Sequence, residues 1–363
     1  MKTPLHTPSG YPVTGKNAPD ATHYRVPRAI IAFKDLSVIM AKYLVTGAAG
    51  FIGSHLTEAL VARGEQVRAL DNFATGRREN LATVMGEIDF VEADLCDADA
   101  VMRACEGVDY IFHEGALPSV PRSVKEPRPS HETNINGTFN LLEGARANGV
   151  KRVVYAASSS AYGNQPGFPR VETMKPQPIA PYPVQKLAGE LYMQSFWQVY
   201  GLETVCLRYF NIFGPRQVPD SPYSGVMAKF TLQMMQGNRP MIFGDGEQGR
   251  DFTYIENAVH ANLLAMSAPA QNVGGRVFNV ACGERHTLNE TYAVIAHLLN
   301  YAEPPQYGPE RTGDVRDSLA DVTAAREAFG YAPIVGFEEG LRRTIAWYLG
   351  SAYSSNTEEL VRS

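Results

Sequence analysis

Cysteine is scarce in this 363-residue chain: Cys96, Cys105, Cys206 and Cys282 stand far apart and form no CxxC pair. That argues against a disulfide framework or a zinc site and suits reduced thiols in a cytoplasmic protein. Positive charge is not in excess either. Lys and Arg number 33 against 38 Asp and Glu, a formal net charge of −5, so the basic footprint of a nucleic-acid binder is missing. No apolar run approaches the roughly 20 residues of a membrane-spanning helix. There are no internal repeats. Residues 1–39 lack sustained periodicity, and they have neither the apolar core nor the small-residue cleavage site of a signal peptide. Met40 directly precedes the first periodic stretch, so residues 1–39 are expected to be a poorly ordered accessory extension with Met40 as the natural start. Removing them should leave folding and activity nearly intact.

What the chain does have is KYLVTGAAGFIGSHLTEAL, Lys42 to Leu60. Tyr43, Leu44 and Val45 form an apolar run of the kind that becomes a strand buried on both faces. Gly47, Gly50 and Gly53 follow at intervals of three, and a helical pattern starts near Phe51. Gly47 permits the tight turn, Gly50 lets a pyrophosphate approach the backbone, and Gly53 lets helix and strand pack closely. The open N–H groups and positive dipole end of the helix then face phosphate. A second strand-like run, Gln66 to Leu70, ends at Asp71, where a carboxylate can accept from both adenosine ribose hydroxyls. Asp71 argues for NAD over NADP, whose 2′-phosphate it would repel; Arg77 and Arg78 keep an NADP option open.

Strands and helices alternate from Met40 onward, the pattern of a doubly wound, Rossmann-type parallel α/β sheet. A helical stretch is expected between Asn80 and a third strand, Ile88–Glu92. Asp94, at that strand's end, suits an adenine amino group or a helix N-cap. A fourth strand, Val108–His113, runs into the small-residue corner Glu114-Gly115-Ala116, where a ligand backbone can pass. A helix from about Ser130 to Asn148 carries Asn134, and a fifth strand, Lys151–Ala156, delivers Ser158, Ser159 and Ser160 where ligands of open sheets sit. A helix then begins near Pro181 and stops at Gly201, with Pro in its first turn. After a sixth strand, Thr204–Tyr209, the rhythm weakens. The expected organisation is a nucleotide-binding domain over 40–211, a smaller region over 212–350 and a tail over 351–363. Strands near Pro240–Phe243 and Val277–Val280 are expected to return to the main sheet.

Tyr182 and Lys186 are four apart on that helix, hence on one face. A Lys186 ammonium stabilises a Tyr182 phenolate, and oxidised nicotinamide adds a second positive field. Each pKa unit below the tyrosine reference near 10 corresponds to about 1.4 kcal/mol, and a few units make the phenol a usable base at neutrality. A serine hydroxyl from the strand end can share the substrate's hydroxyl hydrogen bond. Alone, Tyr-x-x-x-Lys is common helix decoration. After a glycine cradle, an acid and a serine run, in that order, it is a strong signal.

These residues carry a resemblance. TGAAGFIG, Asp71, SSSAYG and YPVQK, with LRYFNIFGPRQ and GDGEQGRDFTYIEN further on, resemble the extended short-chain dehydrogenase/reductase family. More narrowly they resemble its NAD-dependent nucleotide-sugar 4-epimerases, of the UDP-glucose and UDP-N-acetylglucosamine type, over Met40 to about Tyr348. The resemblance implies that Tyr182 takes the proton of the sugar 4-hydroxyl while hydride leaves C4 for NAD. The 4-keto sugar turns over and hydride returns to its opposite face. It also implies that the cofactor meets Gly47, Gly50, Phe51, Ile52, Gly53, Asp71, Asn72, Asp94, Leu95, Gly115, Ala116 and Tyr209, with Asn134, Tyr182 and Lys186 at the nicotinamide side. Ser158 or Ser159 is the expected serine at the 4-hydroxyl. Asn211, Arg250, Arg311 and Asp314 are expected at the UDP moiety, with Ser159 and Ser160 at the sugar. Glu114 departs from the apolar or amide residue expected after His113.

Ser318 resembles the position where glucose-only relatives carry a bulky Tyr, and a serine leaves room for an N-acetyl group. Ser119 and Gln217 also resemble residues of N-acetyl-tolerant members. The expectation is conversion of UDP-GlcNAc and UDP-GalNAc, alongside UDP-Glc and UDP-Gal, by a homodimer supplying surface polysaccharide. A dehydratase, a decarboxylase or a glucuronate epimerase of the same fold is the rival. The first two need an acid where this chain reads Ser158-Ser159-Ser160-Ala161. A reductase would consume free NAD(P)H, and a non-catalytic NAD-sensing module has no need of the Tyr/Lys pair.

Overall fold

The computed structural model describes residues 40–218, 225–310 and 316–350. The expectations for Arg311, Asp314, the leader over 1–39 and the tail over 351–363 lie outside them.

The chain alternates from the start: β1 (Lys42–Thr46), the helix Phe51–Ala62, β2 (Gln66–Asp71), β3 (Asp89–Glu92), β4 (Tyr110–His113), β5 (Arg152–Ser158) and β6 (Glu203–Tyr209). A seventh strand, Arg276–Val280, closes one edge, and the sheet order is Arg276–Val280, β6, β5, β4, β1, β2, β3. Every pairing in it is parallel. The order in which strands are laid down reverses between β1 and β4, so a crevice opens beyond their C-terminal ends, where such sheets take ligands. Leu44, Val45, Ile111, Phe112, Val153 and Val154 have no exposed surface, because helices cover both faces.

Three differences from the sequence reading stand out. The stretch after Asn80 makes only a short 3-10 turn, Arg78–Leu81, before β3. The expected Ser130–Asn148 helix is two α-segments, Pro127–His131 and Gly137–Ala147, joined by a π-turn at Glu132–Asn136. Met241–Phe243 does not return to the main sheet; it pairs with Gln306–Gly308 in a sheet of its own. A third small sheet sets Gly249–Arg250 between His286–Thr287 and Asp317–Ser318. These pieces surround a separate apolar core that includes Phe213, Phe230, Phe252 and Phe337.

The helix Pro181–Tyr200 lies against β5 and β6. Gly201 stops it in the left-handed region, φ 72°, with its N–H on the Trp197 carbonyl. A buried ion pair locks it to the sheet: the Arg208 guanidinium of β6 donates to both Glu190 oxygens, at 2.9 and 2.7 Å. A buried bidentate pair fixes helix rotation, which sets where Tyr182 and Lys186 face.

Candidate active site

The turn after β1 is built as the glycine spacing requires. Gly47 has φ 66°, and a β-carbon on Gly53 would lie 2.1 Å from the Gly47 carbonyl oxygen. The first helical bond runs from Ser54 N–H to the Gly50 carbonyl, so the N–H groups of Phe51, Ile52 and Gly53 precede it. No side chain caps this end. Those donors line a cavity of about 500 Å³.

The cavity runs from Asp71, Asn72, Asp94 and Leu95 past Gly115 and Ala116 to Tyr182, Lys186 and Tyr209. Asp71 closes the first end. Its carboxylate accepts from the Ala49 N–H at 2.9 Å and the Phe73 N–H at 2.7 Å, and so ties the glycine turn to the end of β2. Lone pairs remain on both oxygens for ribose hydroxyls. Asp94 accepts from the Asn72 amide at 2.8 Å and the Cys96 N–H at 2.8 Å.

Tyr182 and Lys186 close the other end. The Lys186 ammonium donates to the Ala156 carbonyl at 2.9 Å, and burial pushes it down to about 8 against the opposing fields of Glu114 and Glu190. It stays charged at neutrality. The Tyr182 phenol is shifted the other way in the chain alone. Burial pushes it up to about 12, which outweighs the opposing hydrogen bond with Ser158, and the charge of Glu114 adds to the rise. The protein alone therefore does not acidify the phenol. Ser158 is the serine that meets Tyr182, and its hydroxyl also pairs with Ser160 Oγ at 2.8 Å. Ser159 starts the short 3-10 turn that follows.

Asn134 is buried behind the cavity wall and does not line it. Its amide accepts from the Leu117 N–H at 2.8 Å and donates to Gln185 at 2.8 Å, clamping the wall to the Tyr182 helix from the π-turn. Ser119 also lies off the lining; at φ 102° it caps the helix Val120–Lys125, accepting from the Arg122 N–H at 3.2 Å. Sequence reasoning missed two positioning groups. Ser123 accepts from the Tyr182 N–H at 3.0 Å, and His113 sits between Thr46 at 2.7 Å and Thr138 at 3.0 Å. Only three-dimensional adjacency reveals them, because each lies more than 20 residues from its partner.

A second cavity, of about 270 Å³, is lined by Asn211, Gln217 and Arg250 among Phe213, Phe230 and Phe243. Ser318 stands in register with Arg250 and accepts from the Asn211 amide at 3.3 Å. The Gln217 amide donates to the Ile212 carbonyl at 3.1 Å. Four expected sugar-nucleotide residues are thus brought together although 107 positions separate Asn211 from Ser318. Asp251 holds that cluster: its carboxylate accepts from the N–H groups of Cys282, Gly283 and Ala320, at 2.9 to 3.1 Å.

A glycine cradle with open N–H groups, an acid at one end of the cavity and a Tyr/Lys pair at the other define a dinucleotide-dependent α/β enzyme. The cradle fits a dinucleotide because side chains are excluded where a pyrophosphate must approach. Residues 43–281 match the NAD dependent epimerase/dehydratase family, and the chain belongs to it. It is an NAD-dependent isomerase of the epimerase kind. A UDP-glucose 4-epimerase of Mycolicibacterium smegmatis is 39% identical over 309 residues, covering 84% of this chain and 97% of that one. The solved UDP-glucose 4-epimerase of Thermotoga maritima, with UDP-glucose, is 39% identical with a TM-score of 0.81, covering 85% of this chain and 99% of that one. A UDP-N-acetylglucosamine 4-epimerase from Methanobrevibacter ruminantium, in complex with UDP-N-acetylmuramic acid, has the same identity and TM-score, covering 86% and 99%.

Proposed function

We propose that this chain interconverts the C4 epimers of UDP-hexoses through a 4-keto sugar, favouring UDP-GlcNAc and UDP-GalNAc and also turning over UDP-Glc and UDP-Gal. The observation that carries the reading is the placing of Tyr182 and Lys186 at one end of the cavity that the glycine turn lines, with Ser158 hydrogen-bonded to Tyr182. Bound NAD supplies the hydride acceptor and a positive charge beside the phenol. Tyr182 takes the proton of the 4-hydroxyl and Ser158 holds that hydroxyl in line. Lys186, tethered to Ala156 and lining the same cavity as Tyr182, is assigned the ammonium that favours the phenol's ionised form. Asn211 and Arg250 receive the UDP portion, and the guanidinium neutralises diphosphate.

Support for the N-acetyl preference is Ser318, half-buried beside Asn211, where a small side chain leaves space. The run Ser158 to Ala161 offers no acid for elimination or decarboxylation. Among the described residues no helix is long and apolar enough to cross a membrane. The exposed apolar side chains Leu191, Val199 and Tyr200 on the Tyr182 helix suit a homodimer joined there. The deciding experiment incubates the protein with UDP-GlcNAc, UDP-Glc and UDP-glucuronate separately and resolves products by chromatography. Epimers of the first two, without net absorbance change at 340 nm, are expected. A pentose product from the glucuronate, or no product at all, would overturn the reading.

A further inference from the structure

Glu114 is a carboxyl in the wall of the cofactor cavity that the chemistry above does not use. It follows β4 directly and lines the cavity with Tyr182 and Lys186. Its position is fixed rather than loose. The Tyr209 hydroxyl at the end of β6 donates to Glu114 Oε1 at 2.8 Å, and the Asn262 amide, from the helix Ile255–Ser267, donates to the same Tyr209 oxygen at 2.7 Å. The Asn262 donor leaves the Tyr209 proton free to point at Glu114 alone, so the carboxyl is held as an acceptor. A group built in from two elements and aimed at the cavity is not incidental polarity.

We propose that Glu114 is a positioning residue that makes the site select the oxidised over the reduced dinucleotide, by fixing a negative charge at the end where the nicotinamide must meet Tyr182. The inference rests on the NAD-dependent reading above. The oxidised ring carries a positive charge and the reduced ring none, so a buried carboxylate nearby separates the two forms by charge alone. An epimerase needs the oxidised form at the start of every turnover. A fixed anion also opposes the Lys186 ammonium, which attracts no cationic ring.

The groups facing Glu114 define its titration. Burial pushes it up to about 7, against the Tyr209 hydrogen bond and the field of Lys186. From the helix Pro181–Tyr200 come Tyr182, whose phenol burial pushes up to about 12, Lys186 near 8, and Glu190, which is paired with Arg208. On β4 itself, burial holds His113 down to about 3, so it stays uncharged. Glu114 is thus ionised above neutrality and protonated below it. Because the oxidised ring favours the carboxylate, preference for NAD must grow as pH rises through that range. Deprotonation of Lys186 adds a second rise near 8 in the same direction.

The test is equilibrium exchange of NAD against NADH on the full chain, read by the fluorescence of bound NADH, from pH 5.5 to 9. The wild type should prefer NAD increasingly across neutrality. Glu114→Gln, which keeps shape and loses charge, should lower that preference about tenfold at pH 7.5, equivalent to about 1.4 kcal/mol. Only the Lys186 rise should survive in it, moved to lower pH because the Glu114 field that holds that ammonium up is gone. Should this variant fold poorly, Tyr209→Phe retains the charge and loses its donor, so the wild-type rise should move to higher pH. The same ratio and profile in wild type and Glu114→Gln would overturn the proposal. So would an unmoved profile in Tyr209→Phe. Absence of any dinucleotide exchange in the wild type would instead sink the NAD-dependent reading beneath it.

Discussion

A β-carbon on Gly189 would lie 2.3 Å from the Tyr155 phenol oxygen and 2.6 Å from its Cζ. Tyr155 has no exposed surface, so its ring has nowhere to retreat. Gly189 is therefore what lets the Tyr182 helix lie down on β5 at its observed height. Gly189→Ala is expected to cost about 1–3 kcal/mol, the usual range for overpacking a core. Urea unfolding measures it, and an unchanged midpoint would show that the ring does not hold the helix.

Tyr182→Phe removes the proposed base and nothing else of comparable size. Turnover of UDP-GlcNAc should fall by about 10²–10⁴, the span of general acid–base contributions, with NAD binding kept. Ser158→Ala, which deletes one hydrogen bond to the phenol, should lose about tenfold. A Tyr182→Phe enzyme with wild-type kcat would remove the phenol from the chemistry.

Ser318→Tyr fills the space beside Asn211. Conversion of UDP-GlcNAc should drop by about 10- to 100-fold, the equivalent of about 1–3 kcal/mol of steric cost, while UDP-Glc turnover falls much less. Ser318→Ala separates the loss of the Asn211 hydrogen bond from the added bulk. Equal losses with both sugars in the tyrosine variant would mean that Ser318 is no gate.

His113 carries the clearest pH signature of the fold. Burial between two threonine hydroxyls holds it down to about 3, whereas the unfolded side chain titrates near 6.5. Between those values the unfolded chain binds the extra proton, so the contribution of His113 is complete above 6.5 and is lost as pH falls. The loss approaches about 1.4 kcal/mol per pH unit. His113→Gln lacks this slope, so its stability deficit against wild type should shrink between pH 7 and pH 5. Urea titrations at both pH values give the difference; a constant deficit would mean that His113 is not held neutral.

Deleting residues 1–39 should leave the melting temperature, NAD binding and turnover close to those of the full chain, because residues from Met40 onward form a compact unit of their own. Differential scanning fluorimetry with and without NAD is a sufficient check. A truncated chain that no longer gains stability from NAD would refute the assignment.

The nucleotide half was legible because its chemistry is local. Gly47, Gly50 and Gly53 announce themselves by spacing, and Asp71 by ending a strand. Tyr182 and Lys186 share a face whatever the tertiary structure. The helix expected between Asn80 and Ile88 gives way to turns that still bury Leu81 and Val84, because seven residues running into Gly86 are too few to sustain a helix. Met241–Phe243 was rightly read as extended, but its partner, Gln306–Gly308, lies over 60 residues on, and no local pattern encodes that. The burial of Tyr182 was illegible for a related reason: helical spacing names a neighbouring charge but not the depth that pushes the phenol up to about 12 in the chain alone. Glu114 drew notice only as an oddity; its meaning came from Tyr209 and Asn262, 95 and 148 positions away.

The strand Arg276–Val280 completes the sheet's edge with chain drawn from between the stretches that carry Arg250 and Ser318, in a five-residue ladder on β6. The protein is therefore not two cassettes in tandem. Swapping the later third for that of a cousin with another taste in sugars would strip β6 of its neighbour. New specificities in such a chain are expected from point changes that leave the scaffold whole, and Ser318 is the position we propose for the first of them.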